Sequence, residues 1–432
     1  MYHRLYRRYP LLVLILIAAY PALAQLQTQT SSDFQTKSNK ENAPYSRFGI
    51  GEFRHGINPL LKSMGGITSA YNNPFAVNAD NPASYASLLL TTYEGSLVGN
   101  SRTIQSGNDK FRTGMATINH MNIGIPVGKY AGMSLGYTPV THIYYKLSDT
   151  AVIPGYGKSI RTFVGDGSLN YAFLGFAGKY KGFSLGANVG YMFGSTVYAS
   201  LVESIDTVNV NDAQFSKVLK TGGIYWKAGA QYETKLGKGM FLRSGVTLAI
   251  NQNLNTKLDE YWISYNFSGG DTSFRNLGRK GNLTMPMAYS AGIHLADSNQ
   301  WMVGIDFSGM NWSNYSGLGR TDSVGDMSYR LGIGGEFTPD ADALRKYFNR
   351  VTYRLGFYYG KDYVYVRNTP VNYYAVTFGF GLPFRRFNDR VNTAFEIGQR
   401  GSETNGLFKE SFFRFTAGIS LNDKWFIKRR YD

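Results

Sequence analysis

His55, His120, His142 and His294 are the four histidines of this 432-residue chain beyond its first 24 residues. They are the side chains best suited to acid–base or metal chemistry near neutral pH. None stands in a pattern that performs it. "NHMNIG" around His120 offers Asn122 but no neighbouring serine for the nucleophile–base–orienter arrangement of ester hydrolysis. There is no cysteine, no His-Glu-x-x-His and no calcium-loop spacing. "PDADAL" suits helix capping by Asp340 or Asp342, at the start of a short helix over "DADALRKYF". "GIGGEF" lacks the Lys-Ser/Thr of a phosphate loop. No catalytic residue, metal ligand or cofactor is therefore expected, and an enzyme is not. His120 and His142 read as ordinary wall or lumen residues.

The remaining chemistry is charge placed at alternate positions. Lys227, Asp306, Arg330, Glu336, Arg354, Glu396 and Arg414 each lie opposite an apolar series on their own segment. Both signs occur on neighbouring segments, which predicts an ion-paired, hydrated interior. Two readings follow: pairs that hold a wall or an inserted segment in place, or a polar translocation path.

The elements that present these charges have a period of two. In "SLGANVGYMFG", Leu185, Ala187, Val189, Tyr191 and Phe193 alternate with small or polar residues. Val351 to Tyr359 and Phe413 to Leu421 repeat the pattern. Glycine (50), tyrosine (33) and phenylalanine (28) are abundant, as pleated surfaces and tight turns require. About fourteen candidate strands begin near Leu89, Thr113, Met133, Ile160, Phe183, Thr221, Met240, Asn282, Trp301, Met327, Val351, Tyr373, Val391 and Phe412. Connections after strands two, four, six, eight and twelve are short ("KYAG", "KYKG", "LGKG", "DSNQ", "RRFNDR"), one even connection, over 338–350, is longer, and most after odd strands are longer. An even strand number with short turns at one end and long loops at the other predicts an all-β fold, a transmembrane antiparallel β-barrel. Apolar residues then face lipid and the small or polar set faces the bore. Trp226, Trp301, Trp312 and Trp425 suit interfacial girdles.

The expected organisation is a signal peptide over 1–24, a polar linker over 25–41, an amino-terminal hatch or plug over 42–88, the barrel over 89–426 and a basic tail over 427–432. Arg4, Arg7 and Arg8 precede an apolar run too short to span a bilayer, then Ala22-Leu23-Ala24 offers a cleavage pattern. Together these place the chain in a bacterial outer membrane. Formal net charge is +16, or +13 without those three arginines. No basic helix or nucleic-acid motif accompanies it, so nucleic acid is excluded as a partner and outer-membrane lipid is expected.

Residues 63–88, "SMGGITSAYNNPFAVNADNPASYASL", followed by the strand pattern, resemble the FadL-like family of outer-membrane transport barrels. Gly65, Gly66, Asn81, Pro82 and Ala83 occupy the places of that family's hatch motifs. The resemblance implies a channel for hydrophobic compounds whose hatch moves aside. Independently, a fourteen-stranded barrel is too wide for its own side chains to fill, which predicts water or a folded segment inside. Pro139, inside the third strand, removes a ladder donor. It marks either a harmless bulge or, as the resemblance implies, a lateral gap between the second and third strands.

The expected function is passive transport of small hydrophobic or amphipathic compounds. The alternative is a non-transporting accessory or scaffold barrel of a larger envelope complex, a role that FadL-like barrels also fill in type IX secretion. Lys179, Lys181, Arg385, Arg386, Lys428, Arg429 and Arg430 form a basic rim that suits a periplasmic or outer-membrane protein partner.

Overall fold

In the computed structural model the residues described are 41–54, 56–206, 211–237, 239–266, 269–297, 300–318, 324–343, 345–384 and 389–425. The 1–24 signal peptide, nearly all of the 25–41 linker, His55, Arg385, Arg386 and the basic tail lie outside them.

The alternating segments pair with their sequence neighbours into one antiparallel sheet. Its wall strands are β2 (Thr91–Ser106), β3 (Asp109–Pro126), β4 (Ala131–Ile153), β5 (Gly157–Tyr180), β6 (Phe183–Ser204) and β7 (Asp212–Lys235). Next come β8 (Met240–Ala249), β9 (Gln252–Asn266), β10 (Gly269–Met285), β11 (Met287–Asp297), β12 (Trp301–Asn311) and β13 (Met327–Phe337). β14 (Thr352–Val366), β15 (Thr369–Pro383), β16 (Arg390–Arg400) and β17 (Lys409–Asp423) complete the wall. β17 pairs with β2 from Lys409↔Gln105 to Asp423↔Thr91, which closes the ring. β8 and β9 form one crossing interrupted at Ile250 and Asn251, and β10 and β11 another interrupted at Pro286. Fourteen crossings therefore make a closed barrel with no free edge around most of its circumference.

The alternation sorts side chains as a membrane wall requires. Leu185, Val189 and Tyr191 are exposed while their neighbours Ser184, Asn188 and Met192 are buried inside. Phe378 stacks on Phe395, and Phe415 tilts against it, across three strands of the outward face, each pair at 4.9 Å centroid spacing. Trp425 is exposed and packs edge-on against Tyr93 near the short-turn end. Trp312 departs from the girdle expectation: it is buried inside, stacked 4.0 Å from Tyr363.

Two further expectations are corrected. The connections read as long outer loops, "SDTAVIPGYGKSI" and "NFSGGDTSFRNLGRKG", are mostly paired strand. The eighth crossing accordingly starts at Gly269, not near Asn282. The asymmetry lies in strand length: β5 and β7 have 24 residues, whereas β12, β13 and β16 have 11. About 9–11 residues suffice to cross, so one side of the wall continues well beyond the membrane as a ladder. There both faces meet water, and polar composition no longer separates strand from loop. "DADALRKYF" is not a capped helix either. Asp340 accepts the Asp342 amide at 3.0 Å in a turn, and helix α2 is only Tyr347–Arg350.

Residues 41–90 lie against the inward-facing side chains. They carry strand β1 (Glu52–Phe53), helix α1 (Pro59–Lys62) and two single-turn segments, Pro44–Arg47 and Pro82–Ser87. Asn58 and Asn81 start α1 and the Pro82 turn by accepting the Leu60 and Ala83 amides, with proline next in line.

Candidate functional site

The bore is occupied, and the wall is shaped for its occupant. At Gly65 (φ +68°) a Cβ would lie 2.6 Å from the Ile333 carbonyl oxygen and 2.7 Å from that of Phe357, so neither the conformation nor the space admits a side chain. Opposite it, a Cβ on Gly332, Gly334 or Gly356 would overlap the backbone of Met64 or Gly65, and one on Gly186, Gly229 or Gly245 that of Pro82, the side chain of Asn81 or the backbone of Ser69. The small residues on the inward face of the alternation thus form a cradle.

Hydrogen bonds fasten this fit. The Gly65 amide donates to Thr377 Oγ1 (2.8 Å), whose hydroxyl donates to the Ser63 carbonyl. Asn81 Nδ2 donates to the carbonyls of Ser69, Ala230 and Val246, and Tyr85 Oη donates to Asn188. Pro82 and Ala83 continue that turn, Ala83 fully buried.

The alternate-position charges point inward and meet residues 41–90 or one another. Asp306 accepts the Thr68 and Ser69 amides and lies 2.9 Å from His294 Nε2. Arg330 donates to the Gly65 carbonyl and lies 3.9 Å above the Tyr358 ring, whose hydroxyl donates to Glu396. Glu336 pairs with Arg354 at 2.9 Å and accepts from Tyr71, while Arg354 also donates to Asn392. Lys227 is 3.6 Å from Asp80, and Arg414 is 3.1 Å from Glu52.

A larger ionic cluster was not legible from the sequence. Arg102, 1% exposed, pairs with Glu41 (3.0 Å), Glu52 (2.7 Å) and Glu410 (2.7 Å). Arg400 joins Asp362 (2.5 Å) and Glu52 (3.6 Å). Burial alone would raise the Glu52 carboxyl, but Arg102, Arg400 and Arg414 outweigh it and hold it well below the usual range. The signal was the spacing of Glu410 and Arg414, four apart on one face, which is visible only if the last strand starts at Lys409 and not at Phe412.

His120 does have a serine partner: Ser96 Oγ is 2.7 Å from Nδ1, and Glu94 Oε2 lies 3.8 Å from Nε2. Ser96 is directly opposite His120 in the β2–β3 ladder, 24 residues away in sequence, so no local motif reveals it. The group is buried beneath α1 and consumed by structure. Asn119 Nδ2 donates to Ser96, Glu94 accepts from Asn58 and the Val77 amide, and Lys62 Nζ donates to Asn119 at 2.7 Å. Burial pulls the Lys62 ammonium down to about 8.

Beside Pro139 the ladder is interrupted. β3 and β4 pair from Pro126↔Gly132 only as far as Met121↔Tyr137. Beyond that point β4 follows β5, with a bulge between Pro139 and Thr141, and leaves β3. Residues 41–54 bridge the parted strands. Glu52↔His142 and Phe53↔Thr141 pair antiparallel, and the Ala43 and Arg54 amides donate to the carbonyls of Tyr144 and Val140. The Asn42 amide donates to Thr113 Oγ1 of β3, while its side chain exchanges bonds with the Lys146 carbonyl and amide of β4. A cavity of about 370 Å³ lies beneath this seam. Ile118, Thr138, Pro139 and Val140 line it on the seam side; Tyr171, Phe173, Met192 and Tyr225 line an apolar wall, and Lys62, Arg330 and Arg414 bring positive charge. Of the rim cations, Lys179 is shared with Glu233 at 3.6 Å, and Lys181 stands in a turn with positive φ.

Solved structures share this architecture. The Pseudomonas putida toluene transporter TodX has 15% identity and a TM-score of 0.58, over 87% of this chain and 100% of that one. A Pseudomonas aeruginosa FadL homologue has 12% and 0.57, over 84% and 97%. The Ralstonia pickettii toluene transporter TbuX has 14% and 0.55, over 85% and 99%. These likenesses establish the FadL-type barrel fold, and the neighbours are transport barrels, not enzymes. A comparison with curated proteins finds no match. The family model named BamG matches residues 17–432, nearly the whole sequence, and the chain belongs to the BamG family.

Proposed function

We propose that the chain is a bacterial outer-membrane channel through which small hydrophobic or amphipathic compounds pass without energy input, leaving the bore sideways into lipid. The observation that supports this reading is the interrupted β3–β4 ladder beside Pro139 directly above the 370 Å³ cavity. That volume lies within the usual range for small-molecule sites, about 300–1,000 Å³. The FadL-type fold and the amino-terminal secretion pattern support the location. In this reading Gly65, Gly66, Asn81, Pro82 and Ala83 seat the plug, Pro139 keeps the seam open, and Lys227, Asp306, Arg330, Glu336, Arg354, Glu396 and Arg414 hold the plug and polarise the bore. The test is purification from native outer membrane with mass spectrometry of co-purifying lipids and proteins. A bound small molecule without stoichiometric protein is the expected result.

A second reading, an accessory barrel in a larger envelope assembly, is favoured by a different observation. The seam is covered by residues 41–54, and buried ion pairs tie that segment to the wall. The BamG match is in keeping with association among outer-membrane proteins. A stoichiometric protein partner and no ligand in the same experiment would decide for it.

A further inference from the structure

The outward face of the wall carries a row of like charges. Lys220 of β7 is paired with Lys257 of β9, and Lys257 with Lys280 of β10, so three ammonium groups stand side by side on adjacent strands. Directly opposed Cβ atoms are about 4.5–5.5 Å apart, and like charges in such pairs repel. Parity fixes the side. The β6–β7 ladder has no register shift, and Lys220 shares its face with Ile224, which is 68% exposed, whereas Leu219 is buried. Leu254 and Leu258 of β9 are likewise buried, which leaves Lys257 outside. All three lysines are exposed. Asp259 lies 3.8 Å from Lys220 Nζ and also accepts the Gly278 amide. Among the described residues Lys257 and Lys280 have no carboxylate at ion-pair distance, so one acid serves three cations.

Phe193 ends the outward apolar series of β6 that begins at Phe183, and about 9–11 residues suffice to cross the hydrocarbon. Ser195, the partner of Lys220, is the next outward residue. At about 3.4 Å per residue and a tilt of about 35–45°, the lysine row stands about 5 Å above the hydrocarbon edge, inside the headgroup layer of the leaflet opposite the short turns. Between the row and the apolar band lie Gly222, Asn255 and Asn282, again in register, and the Tyr191 hydroxyl reaches over Gly222. Both asparagine side chains are exposed.

We propose that Lys220, Lys257 and Lys280 bind the phosphate-bearing headgroup of an outer-leaflet lipid, with Asn255, Asn282 and Tyr191 as neutral hydrogen-bonding partners and the acyl chains lying along Phe193 and Ile224. Phosphate supplies the negative charge that the row lacks, and ammonium groups bind it as point charges. A lipid is the occupant because the cationic row and the apolar band are continuous. Free phosphate would use the row alone, and an acidic protein would have to displace headgroups to reach it. The site requires the barrel to stand in a bilayer and holds for either reading of what the barrel does there.

The test is native mass spectrometry of the full-length barrel in detergent with dioleoyl phosphatidic acid as the probe. The wild type should retain the lipid, and K220Q/K257Q/K280Q should weaken the tightest adduct by about tenfold or more. K129Q/K235Q/K346Q removes the same charge from exposed positions at the short-turn end and should change that adduct by less than about twofold. Equal losses in the two variants would mean unspecific attraction and overturn the site, as would equal binding by the wild type and K220Q/K257Q/K280Q. Inorganic phosphate at the lipid's concentration should not displace it; displacement would assign the row to a free anion and overturn the lipid. Unfolding midpoints in nanodiscs supply a second reading whose sign reverses. In phosphatidylcholine alone the lysine variant loses a repulsion and should unfold no earlier than the wild type, whereas with phosphatidic acid in the disc it should unfold earlier. Should the triple variant unfold early in both discs, K257Q, the centre of the row, is read in its place: the same order in both discs overturns the proposal, a reversal sustains it.

Discussion

The carboxylate of Asp306, on the wall, accepts the Ser69 backbone amide at 2.5 Å and the Thr68 amide at 2.6 Å. A single wall residue thus satisfies two consecutive amides of the segment inside the bore, with His294 on the adjacent strand fixing the carboxylate. Asp306→Ala leaves both amides and the imidazole without this acceptor. The expected cost is about 3 kcal/mol, read as a lower unfolding midpoint in detergent and as new protease cleavage between Ile67 and Tyr71. Asp306→Asn, which keeps one acceptor oxygen, should lose less than half as much.

Gly65 and Gly66 are adjacent, and both have positive φ, but their surroundings differ. A methyl at Gly65 meets rigid wall carbonyls, whereas one at Gly66 meets the tip of the Arg330 side chain, which can move. Gly65→Ala should therefore cost about 3 kcal/mol or more and Gly66→Ala about 1–2 kcal/mol. Equilibrium unfolding of the two variants checks the order; equal losses would contradict the cradle.

Lys62 carries a depressed pKa because burial disfavours its charge more than nearby Glu396 supports it. Its folded value, about 8, lies below the unfolded one. Between pH 8 and about 10.4 the unfolded chain holds more protons, so this residue makes stability rise with pH across that window and contributes no slope below it. Lys62→Met should raise stability at pH 7 by up to about 3 kcal/mol and flatten the slope above pH 8. Unfolding midpoints at pH 7 and 10 for both proteins give the answer.

Pro139 lacks the amide that could extend the β3–β4 ladder. Replacing it with Val supplies a donor and permits the bulge to relax. The expected result is slower hydrogen exchange across Ala116 to His120 by about tenfold, with β2–β3 exchange unchanged. Unchanged exchange on both sides would show that the bulge and residues 41–54, and not the proline, keep the strands apart.

The membrane wall was legible because hydrocarbon imposes a strict two-residue period, as Leu185 to Phe193 show. Where water bathes both faces the constraint disappears, so the paired extensions of β5, β7 and β10 read as loops. The inward charges were legible one at a time through the same parity. Their partners were not, because Arg102 with Glu52 and Ser96 with His120 are set by register and by where residues 41–90 lie, neither of which leaves a local trace. Glycines such as Gly229, Gly245 and Gly356 were visible as small residues, but their purpose appears only once Asn81, Ser69 and Gly65 are seen against them.

Thr377 holds Gly65 across 312 positions of sequence, and Tyr45 holds Phe408 across 363. Residues 41–90, made before the wall that seats them, therefore have no seat until the carboxy-terminal third of the barrel has arrived, and non-local contacts of this kind form slowly. Assembly must keep a finished amino-terminal segment waiting at the centre while the final hairpins come round to enclose it.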